Sequence, residues 1–188
     1  AQVLPTPFAE GSPEEHLYYR YGVARLAAFS NVTWDLGNEH DFHRSYPEWA
    51  NDLGPRVLEW DPYDHLTSAH NKTYRGVDWP GMQLIQRWDE GQYDFMLGQR
   101  REQEQSGRIV PQVIEEYGYE DLWENSLGQR SAETRRRCAW EISMAGGYQT
   151  TGESARQGTG VPPDSGGGWV NGRGDDGMVL LPDRKSTR

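Results

Sequence analysis

The stretch Asn31-Val-Thr-Trp-Asp-Leu-Gly-Asn-Glu39 joins a β-prone run, apolar on both faces up to Leu36, to a carboxylate at its end. A second stretch, Ile109-Val-Pro-Gln-Val-Ile-Glu-Glu-Tyr-Gly118, repeats the arrangement with Glu116 near its end. Runs that are apolar on both faces are typical of buried parallel strands, and α/β folds place their chemistry at the carboxyl ends of such strands. We therefore expect Glu39 and Glu116 to emerge at one edge of a parallel sheet.

Strands and helices are predicted to alternate outward from these two stretches. Ser12 is a suitable N-cap and Pro13 a suitable first residue for the first helix. The predicted strands are 31–36, 65–70, 82–88, 109–116 and 147–151. The predicted helices are 13–29, 46–60, with interruptions at Gly54 and Pro55, 92–105, and a last helix that Ser131 caps and that runs to about 144. This order, at roughly 25 residues per unit, predicts an α/β fold of parallel βα units.

The length of 188 residues, with 35% hydrophobic residues, fits a single domain covering 1–188. Residues 1–12 are predicted to be irregular, 13–153 to form the βα units, and 154–188 to form a Gly-rich loop and tail. Within that loop, Gly166-Gly-Gly-Trp-Val-Asn-Gly-Arg-Gly174 lacks the following helix that a phosphate cradle requires. It is either a substrate loop with Trp169 as a stacking platform or an ordinary surface loop.

Charge and composition exclude several classes of partner. The net charge of −10 argues against nucleic acid, because phosphates are neutralised by concentrated Lys and Arg. The basic run 135–137 is predicted to be a solvated helix face, and the single Cys138 a small buried hydrophobe that forms no disulfide within the chain. No window of eighteen apolar residues and no signal peptide is found, so we expect no membrane partner. The compartment stays open: secreted or periplasmic if the chain is processed, otherwise cytoplasmic.

The predicted strand ends carry carboxylates, amides and aromatic rings that parallel strands would gather into one polar rim. This mixture suits sugars, because carboxylates and amides bind hydroxyls while aromatic faces cover the apolar side of the ring. Each aromatic residue taken alone is better explained by the core, whereas the set taken together favours a carbohydrate site. The candidate substrate-binding residues are Asn38, His70, Gln86, Trp88, Tyr117, Glu153 and Trp169.

Two of these motifs resemble a known group of enzymes. Trp34-Asp-Leu-Gly-Asn-Glu39 resembles the fourth-strand motif of retaining glycoside hydrolases with a (β/α)8 barrel, and Val113-Ile-Glu-Glu-Tyr-Gly118 resembles their seventh-strand motif. Within that group the chain is most similar to the apiosidase-like glycoside hydrolases. The similarity also includes Asp61-Pro-Tyr-Asp-His-Leu-Thr-Ser-Ala-His-Asn71 and Gly146-Gly-Tyr-Gln-Thr-Thr-Gly-Glu153, and it runs over about residues 17–178.

The resemblance implies a double displacement without a cofactor. Glu116 would attack the anomeric carbon while Glu39 protonates the leaving oxygen and later deprotonates water, with the carboxyls ~5–5.5 Å apart. Asn38 would bind the neighbouring sugar hydroxyl. Glu115 competes for the nucleophile role, but strand alternation puts it on the opposite face from Glu116, and the following Tyr-Gly favours Glu116.

The resemblance also implies an incomplete TIM (β/α)8 barrel. Aligned on the motifs, the chain supplies strands four to eight, about five parallel βα units, and the N-terminal three units are absent; such barrels typically need ~250 residues. Three outcomes follow: a fragment of a longer enzyme, association through a homo-oligomer or a missing N-terminal segment that covers the gap, or an incomplete barrel with impaired activity. The alternative function is an inactive or truncated carbohydrate-binding relic.

A metal site is the weaker hypothesis. Glu39-His-Asp-Phe-His43 holds four possible ligands in five residues, which a metallohydrolase could use together with His70. No further acidic or His cluster completes the set, so we expect neither a metal nor a cofactor.

Overall fold

The computed structural model describes residues 7–120 and 129–150, so the predictions for residues 151–188, including Glu153 and Trp169, lie outside the described residues. The helices and strands that the sequence predicts all occur, and in the predicted order. The helices are α1 (Pro13–Leu26), α2 (Glu48–Trp60), α3 (Gln92–Gln105) and α4 (Ala132–Met144), with a 3₁₀ helix at His40–Phe42. The strands are β1 (Trp34–Asp35), β2 (Thr67–Ser68), β3 (Gln83–Gln86), β4 (Gln112–Glu116), β5 (Tyr119–Glu120), β6 (Gln129–Arg130) and β7 (Tyr148–Gln149).

Parallel pairing, the central prediction about the sheets, is confirmed. The β1–β2, β4–β7 and β5–β6 pairs are all parallel, and one sheet has the strand order β3–β4–β7. The β5–β6 pair was not predicted. The chain divides into two compact units, one of Ala1–Ile85 with Gln103–Gln112 and one of Gln86–Glu102 with Val113–Arg188.

The first unit is built on an apolar and aromatic core. Helix α1 begins as predicted, because the Ser12 side chain accepts a hydrogen bond from the Glu15 N–H at 3.2 Å and Pro13 opens the helix. β1 pairs with β2 in the register Trp34 to Thr67. The buried core cluster consists of Val23, Ala27, Leu36, Trp49, Ala50, Leu53, Val57, Ala69 and Trp79.

Two predictions for this unit are wrong. The strand at 31–36 is only two residues long, and Asp35 is exposed instead of buried on both faces. Helix α2 runs through Gly54 and Pro55 without the expected interruption. Gly54 serves a close approach instead: a Cβ at this position would lie 2.3 Å from Cδ2 of Trp79, so only glycine lets that ring pack on the helix.

The second unit places α4 against its parallel strands. The Ser131 side chain accepts from the Thr134 N–H at 3.1 Å, which confirms the predicted N-cap. β4 and β7 pair in the register Val113 to Tyr148. Met96, Ile114, Cys138 and Ile142 are buried, so Cys138 is the buried hydrophobe that the sequence predicts.

The basic run 135–137 corrects the prediction of a solvated face. Arg136 and Arg137 form ion pairs with Glu133 and Glu90, as expected for a helix surface. Arg135, in contrast, is only 4% exposed. Its guanidinium lies 4.4 Å from the centre of the Tyr117 ring and donates to the Gly118 carbonyl. An aromatic face and a backbone acceptor therefore replace water around this charge.

No helix within residues 7–120 and 129–150 is both long enough and apolar enough to cross a membrane.

Candidate functional site

In the first unit, Glu39 lies in a strained turn a few residues beyond β1. Its backbone is left-handed, with φ 46° and ψ 37°, and it occupies the N-cap position of the 3₁₀ helix. Its carbonyl accepts from the Phe42 N–H at 3.1 Å. Asn38 and Glu39 are both half-buried. A left-handed backbone at a residue with a side chain costs ~1–3 kcal/mol and is found most often at active sites and ligand clamps.

The end of β1 is joined to the end of β2 by the Asp35 carboxylate. Asp35 Oδ1 accepts from the Gly37 N–H at 3.2 Å and from the His70 N–H at 2.9 Å. The Tyr19 hydroxyl also donates to the Leu36 carbonyl at 2.7 Å. The predicted residue His70 is therefore anchored to the same strand end that leads to Asn38 and Glu39, and it is almost completely buried.

An ion pair connects the 3₁₀ helix to the segment after β2. Lys72 Nζ lies 2.8 Å from Asp41 Oδ2. Burial raises the pKa of Asp41, but the hydrogen bond and charge of Lys72 outweigh burial, so the pKa lies below its usual range. Asn71, just before Lys72, also has a left-handed backbone, with φ 60°. Two loops that follow parallel strands thus carry strained residues and a mutual ion pair.

The possible metal ligands within residues 39–43 have other contacts in the structure. His40 is buried in an aromatic cluster, and its Nε2 lies 2.6 Å from the Tyr74 hydroxyl. Asp41 is paired with Lys72. His43 is exposed. The five-residue run is therefore used locally for packing and ion pairing, and the expected absence of a metal stays a prediction.

In the second unit, Glu116 is the last residue of β4. Its carbonyl accepts from the Arg87 N–H at 2.8 Å, and its carboxylate Oε2 accepts from Gln86 Nε2. Both Glu116 and Gln86 are half-buried. The structure therefore brings together two of the predicted site residues, and an amide donor orients one oxygen of the candidate nucleophile.

Tyr117 and Trp88 complete the predicted residues of the second unit. Tyr117 is 5% exposed and lies beneath the Arg135 guanidinium. Trp88 is half-buried, and its carbonyl accepts from Arg130 Nε at 3.0 Å. Within this unit the predicted set is thus Gln86, Trp88, Glu116 and Tyr117, whereas Asn38, Glu39 and His70 belong to the first unit. The separation of ~5–5.5 Å between the two carboxyls stays a prediction.

Sequence reasoning missed three residues that support these acids: Asp35, Tyr74 and Arg135. Asp35 was detectable as a carboxylate inside a β-prone run, because Asp is depleted in strands. Tyr74 lies in a segment with no periodic pattern, and Arg135 is hidden in a basic run that reads as a helix surface. Only the fold shows what these two residues contact.

Comparison with known proteins places the chain beside glycoside hydrolases. The chain is similar to the crystal structure of a candidate glycoside hydrolase from Bacteroides vulgatus, with 30% identity, a TM-score of 0.60, and coverage of 79% of this chain and 30% of that one. β-Glucuronidases from Bifidobacterium dentium, solved with coumarin-3-O-glucuronide, and from Faecalibacterium prausnitzii match with 14% and 18% identity and TM-scores of 0.47 and 0.45. These two matches cover 76% and 73% of this chain, respectively, and 28% of the length of each β-glucuronidase.

The chain therefore spans less than a third of the length of the solved structures that it matches. No protein-family profile matches it, and no curated protein matches it by sequence. The neighbour from Bacteroides vulgatus, with the TM-score above 0.5, is described as a candidate glycoside hydrolase.

Proposed function

We propose that this chain is a glycoside hydrolase domain that cleaves a glycosidic bond in an oligo- or polysaccharide with retention of configuration. The observation that carries the proposal is the 30% identity and TM-score of 0.60 to the candidate glycoside hydrolase of Bacteroides vulgatus. The motifs that contain Glu39 and Glu116 support it, because Glu39 lies a few residues beyond β1 and Glu116 is the last residue of β4, and both strands belong to parallel pairs.

In this proposal Glu116 is the nucleophile. It attacks the anomeric carbon, the glycosidic bond breaks, and Glu39 gives its proton to the leaving oxygen. Water then enters, Glu39 takes a proton from it, and the hydroxide displaces Glu116 to release the sugar. The amide donor from Gln86 supports the role of Glu116, because a carboxylate held at one oxygen presents the other in a fixed direction.

The remaining predicted residues would bind the sugar. Asn38, next to Glu39, would hold the hydroxyl beside the reacting carbon, while His70 and Gln86 would bind other hydroxyls. Trp88 and Trp169 would cover the apolar side of the ring, and Glu153 would accept from a further hydroxyl. Tyr117, whose ring lies against the Arg135 guanidinium, would line the site beside Glu116. We propose no metal and no cofactor in this reaction.

The proposal includes an incomplete (β/α)8 barrel. The sequence motifs correspond to its fourth to eighth strands, and the chain matches 30% of the length of its structural neighbour. A second copy of the chain or a further polypeptide segment would then cover the open sides of the sheet. The alternative function is a carbohydrate-binding relic without turnover.

Substitution of the two acids tests the proposed reaction. We expect Glu116→Ala to lower kcat/KM on aryl glycosides by at least about 10³-fold, because the variant lacks the carboxylate that forms the covalent intermediate in this proposal. Glu115→Ala is the matched control, since it removes the neighbouring acid of the same strand. NMR detection of the first anomer released would report retention.

Four results would contradict the enzyme proposal or part of it. Equal activity of Glu116→Ala and wild type would exclude Glu116 as nucleophile, and loss only in Glu115→Ala would exchange the two assignments. Oligosaccharide binding measured by calorimetry, without turnover by the wild type, would favour the binding relic. Loss of activity with a chelator, together with full activity of Glu116→Ala, would favour a metal enzyme.

A further inference from the structure

His40 follows Glu39 directly and is enclosed by three aromatic rings. Its side chain is 0% exposed. The ring centres of His40 and Trp49 lie 5.2 Å apart at an interplanar angle of 28°, and Tyr74 stacks at 6.2 Å and 27°. Tyr46 approaches at 6.2 Å with a tilt of 54°. A ring held in this way has little freedom to move.

A hydrogen bond fixes the orientation of the same ring. Tyr74 Oη and His40 Nε2 lie 2.6 Å apart, which is short enough to exclude a bridging water. The Tyr46 hydroxyl has a different partner, the Thr73 carbonyl, to which it donates at 3.2 Å. The cluster therefore holds one tyrosine whose hydroxyl contacts His40 and one whose hydroxyl does not.

The imidazole is neutral at neutral pH. Burial lowers the pKa of His40, and the charges of Lys72 and His70 lower it further, whereas Asp41 and the Gly37 backbone raise it. Burial also raises the pKa of the Tyr74 hydroxyl, with Tyr46, Asp41 and Asp35 acting in the same direction. Neither partner in the hydrogen bond is therefore ionised under ordinary conditions.

The cluster holds the chain on both sides of Glu39. On the N-terminal side, a Cβ added to Gly37 would lie 3.2 Å from Cη2 of Trp49, so this turn packs closely on the indole. On the C-terminal side, His40 stacks on the same indole. Trp49 is itself fixed, because its Nε1–H donates to Glu15 Oε2 at 3.3 Å. Glu39, with its left-handed backbone, thus lies between Gly37 and His40, which both pack on the Trp49 indole.

We propose that His40, locked by Trp49 and by the Tyr74 hydroxyl, is a positioning residue that holds Glu39 in its left-handed backbone conformation and thereby orients the acid/base carboxylate. This inference rests on the proposed function of Glu39. His40 itself touches no reacting atom in it. The strain at Glu39 is maintained by the packing of the next residue, and relaxation of that residue would redirect the carboxylate.

The kinetic test compares Tyr74→Phe with Tyr46→Phe. Each variant loses one hydroxyl from the cluster, but only Tyr74→Phe loses the contact to His40. Phenyl glycosides need a well-placed acid because their leaving group is poor, whereas dinitrophenyl glycosides do not. For Tyr74→Phe we expect kcat/KM to fall about 10-fold on the phenyl substrate and less than about twofold on the dinitrophenyl substrate. Tyr46→Phe should act equally on both substrates.

A second measurement reports the backbone conformation of Glu39 in the absence of substrate turnover. The ¹³Cα and ¹⁵N chemical shifts of Glu39 report its backbone angles, and we expect them to change in Tyr74→Phe and in His40→Phe but not in Tyr46→Phe. His40→Phe keeps a stacking ring and removes both nitrogens. Thermal unfolding of each variant shows whether it is folded, and Tyr74→Phe keeps the test valid if His40→Phe does not fold.

The outcomes separate this inference from the proposed function. If Glu39→Gln shows the leaving-group dependence and Tyr74→Phe does not, the positioning role is overturned while the acid/base role stands. If Glu39→Gln shows no such dependence, both fail. Unchanged Glu39 shifts in Tyr74→Phe and His40→Phe would overturn the positioning role whatever the activity.

Discussion

Glu39 lies beyond a parallel strand and Glu116 is the last residue of another, and the chain holds these two acids in different ways. Glu116 ends the five-residue strand β4, where backbone pairing with Arg87 and the Gln86 amide fix it. Glu39 lies beyond the two-residue strand β1 in a left-handed turn that rests on aromatic rings. Regular hydrogen bonding is therefore sufficient at one acid, whereas the other depends on tertiary packing.

The two acids should therefore differ in how strongly their positions respond to substitutions. A strand residue is placed by the register of its whole ladder, so the loss of one neighbouring side chain changes it little. A strained turn relaxes as soon as the contacts that over-determine it are removed. The turn around Glu39 should therefore respond to substitutions that are distant in sequence, and the end of β4 should respond mainly to its own local partners.

The largest expected effect is the loss of the indole beneath the Glu39 turn. Trp49 is 3% exposed and stacks on His40, so Trp49→Ala should lower the free energy of unfolding by ~3–5 kcal/mol. Trp140→Ala is the control, since Trp140 is 64% exposed, and it should change stability by less than about 0.5 kcal/mol. Urea denaturation measures both. Equal losses would mean that Trp49 does not organise the first unit.

A smaller effect is expected beside Glu116. Arg135→Ala removes the donor to the Gly118 carbonyl and the cation over the Tyr117 ring, and it should cost ~1.5–3 kcal/mol. Arg137→Ala, two positions along the same helix, removes a half-exposed ion pair and should cost less than about 1 kcal/mol. If the two variants lose the same stability, the run 135–137 behaves as the solvated face that the sequence predicts.

The smallest effect is a pH dependence of stability that originates at His40. Its pKa is lowered in the folded state from the ordinary value of 6.5, so below that value the unfolded chain binds the proton first. The contribution of His40 is therefore fully present above pH 6.5 and is lost as the pH falls towards the folded-state pKa. Denaturation at a series of pH values should show this decline in the wild type.

His40→Phe should flatten the curve just below pH 6.5 and leave the decline at lower pH. That lower decline belongs to carboxyls such as Asp41 and Asp52, whose pKa values are lowered from 3.8 and which lose their stabilising effect only in stronger acid. A His40→Phe curve identical to that of the wild type would show that the buried imidazole does not titrate in this range.

Local signals in the sequence predicted the helices well. Ser12 with Pro13 and Ser131 mark the starts of α1 and α4, and the bounds of α3 are those predicted. These signals work because a cap, a proline or a repeated apolar position acts over one turn. Strand lengths were overestimated, because β propensity gives a preference for extended backbone but does not say which residues find a partner strand.

For the candidate site, the sequence indicated residue types and chain order, and the fold added the contacts. Glu116 and Gln86 were both predicted from strand ends, but their hydrogen bond was not. No local pattern in the sequence indicates the contacts of His40 or the buried position of Arg135. Tyr74 lies 34 residues from His40 in sequence, and Tyr117 lies 18 residues from Arg135.

Local sequence patterns were sufficient to predict the order of the helices and of five strands, the parallel pairing, the buried Cys138 and the acids that end two strand-like runs. Each depends on periodicity, capping or residue type within a short window. Three features follow from the folded structure alone: Gly54 makes room for Trp79, Arg135 is buried over Tyr117, and Glu39 has a left-handed backbone beside the buried His40. Those features arise from close packing between distant segments, which no local pattern of residues encodes.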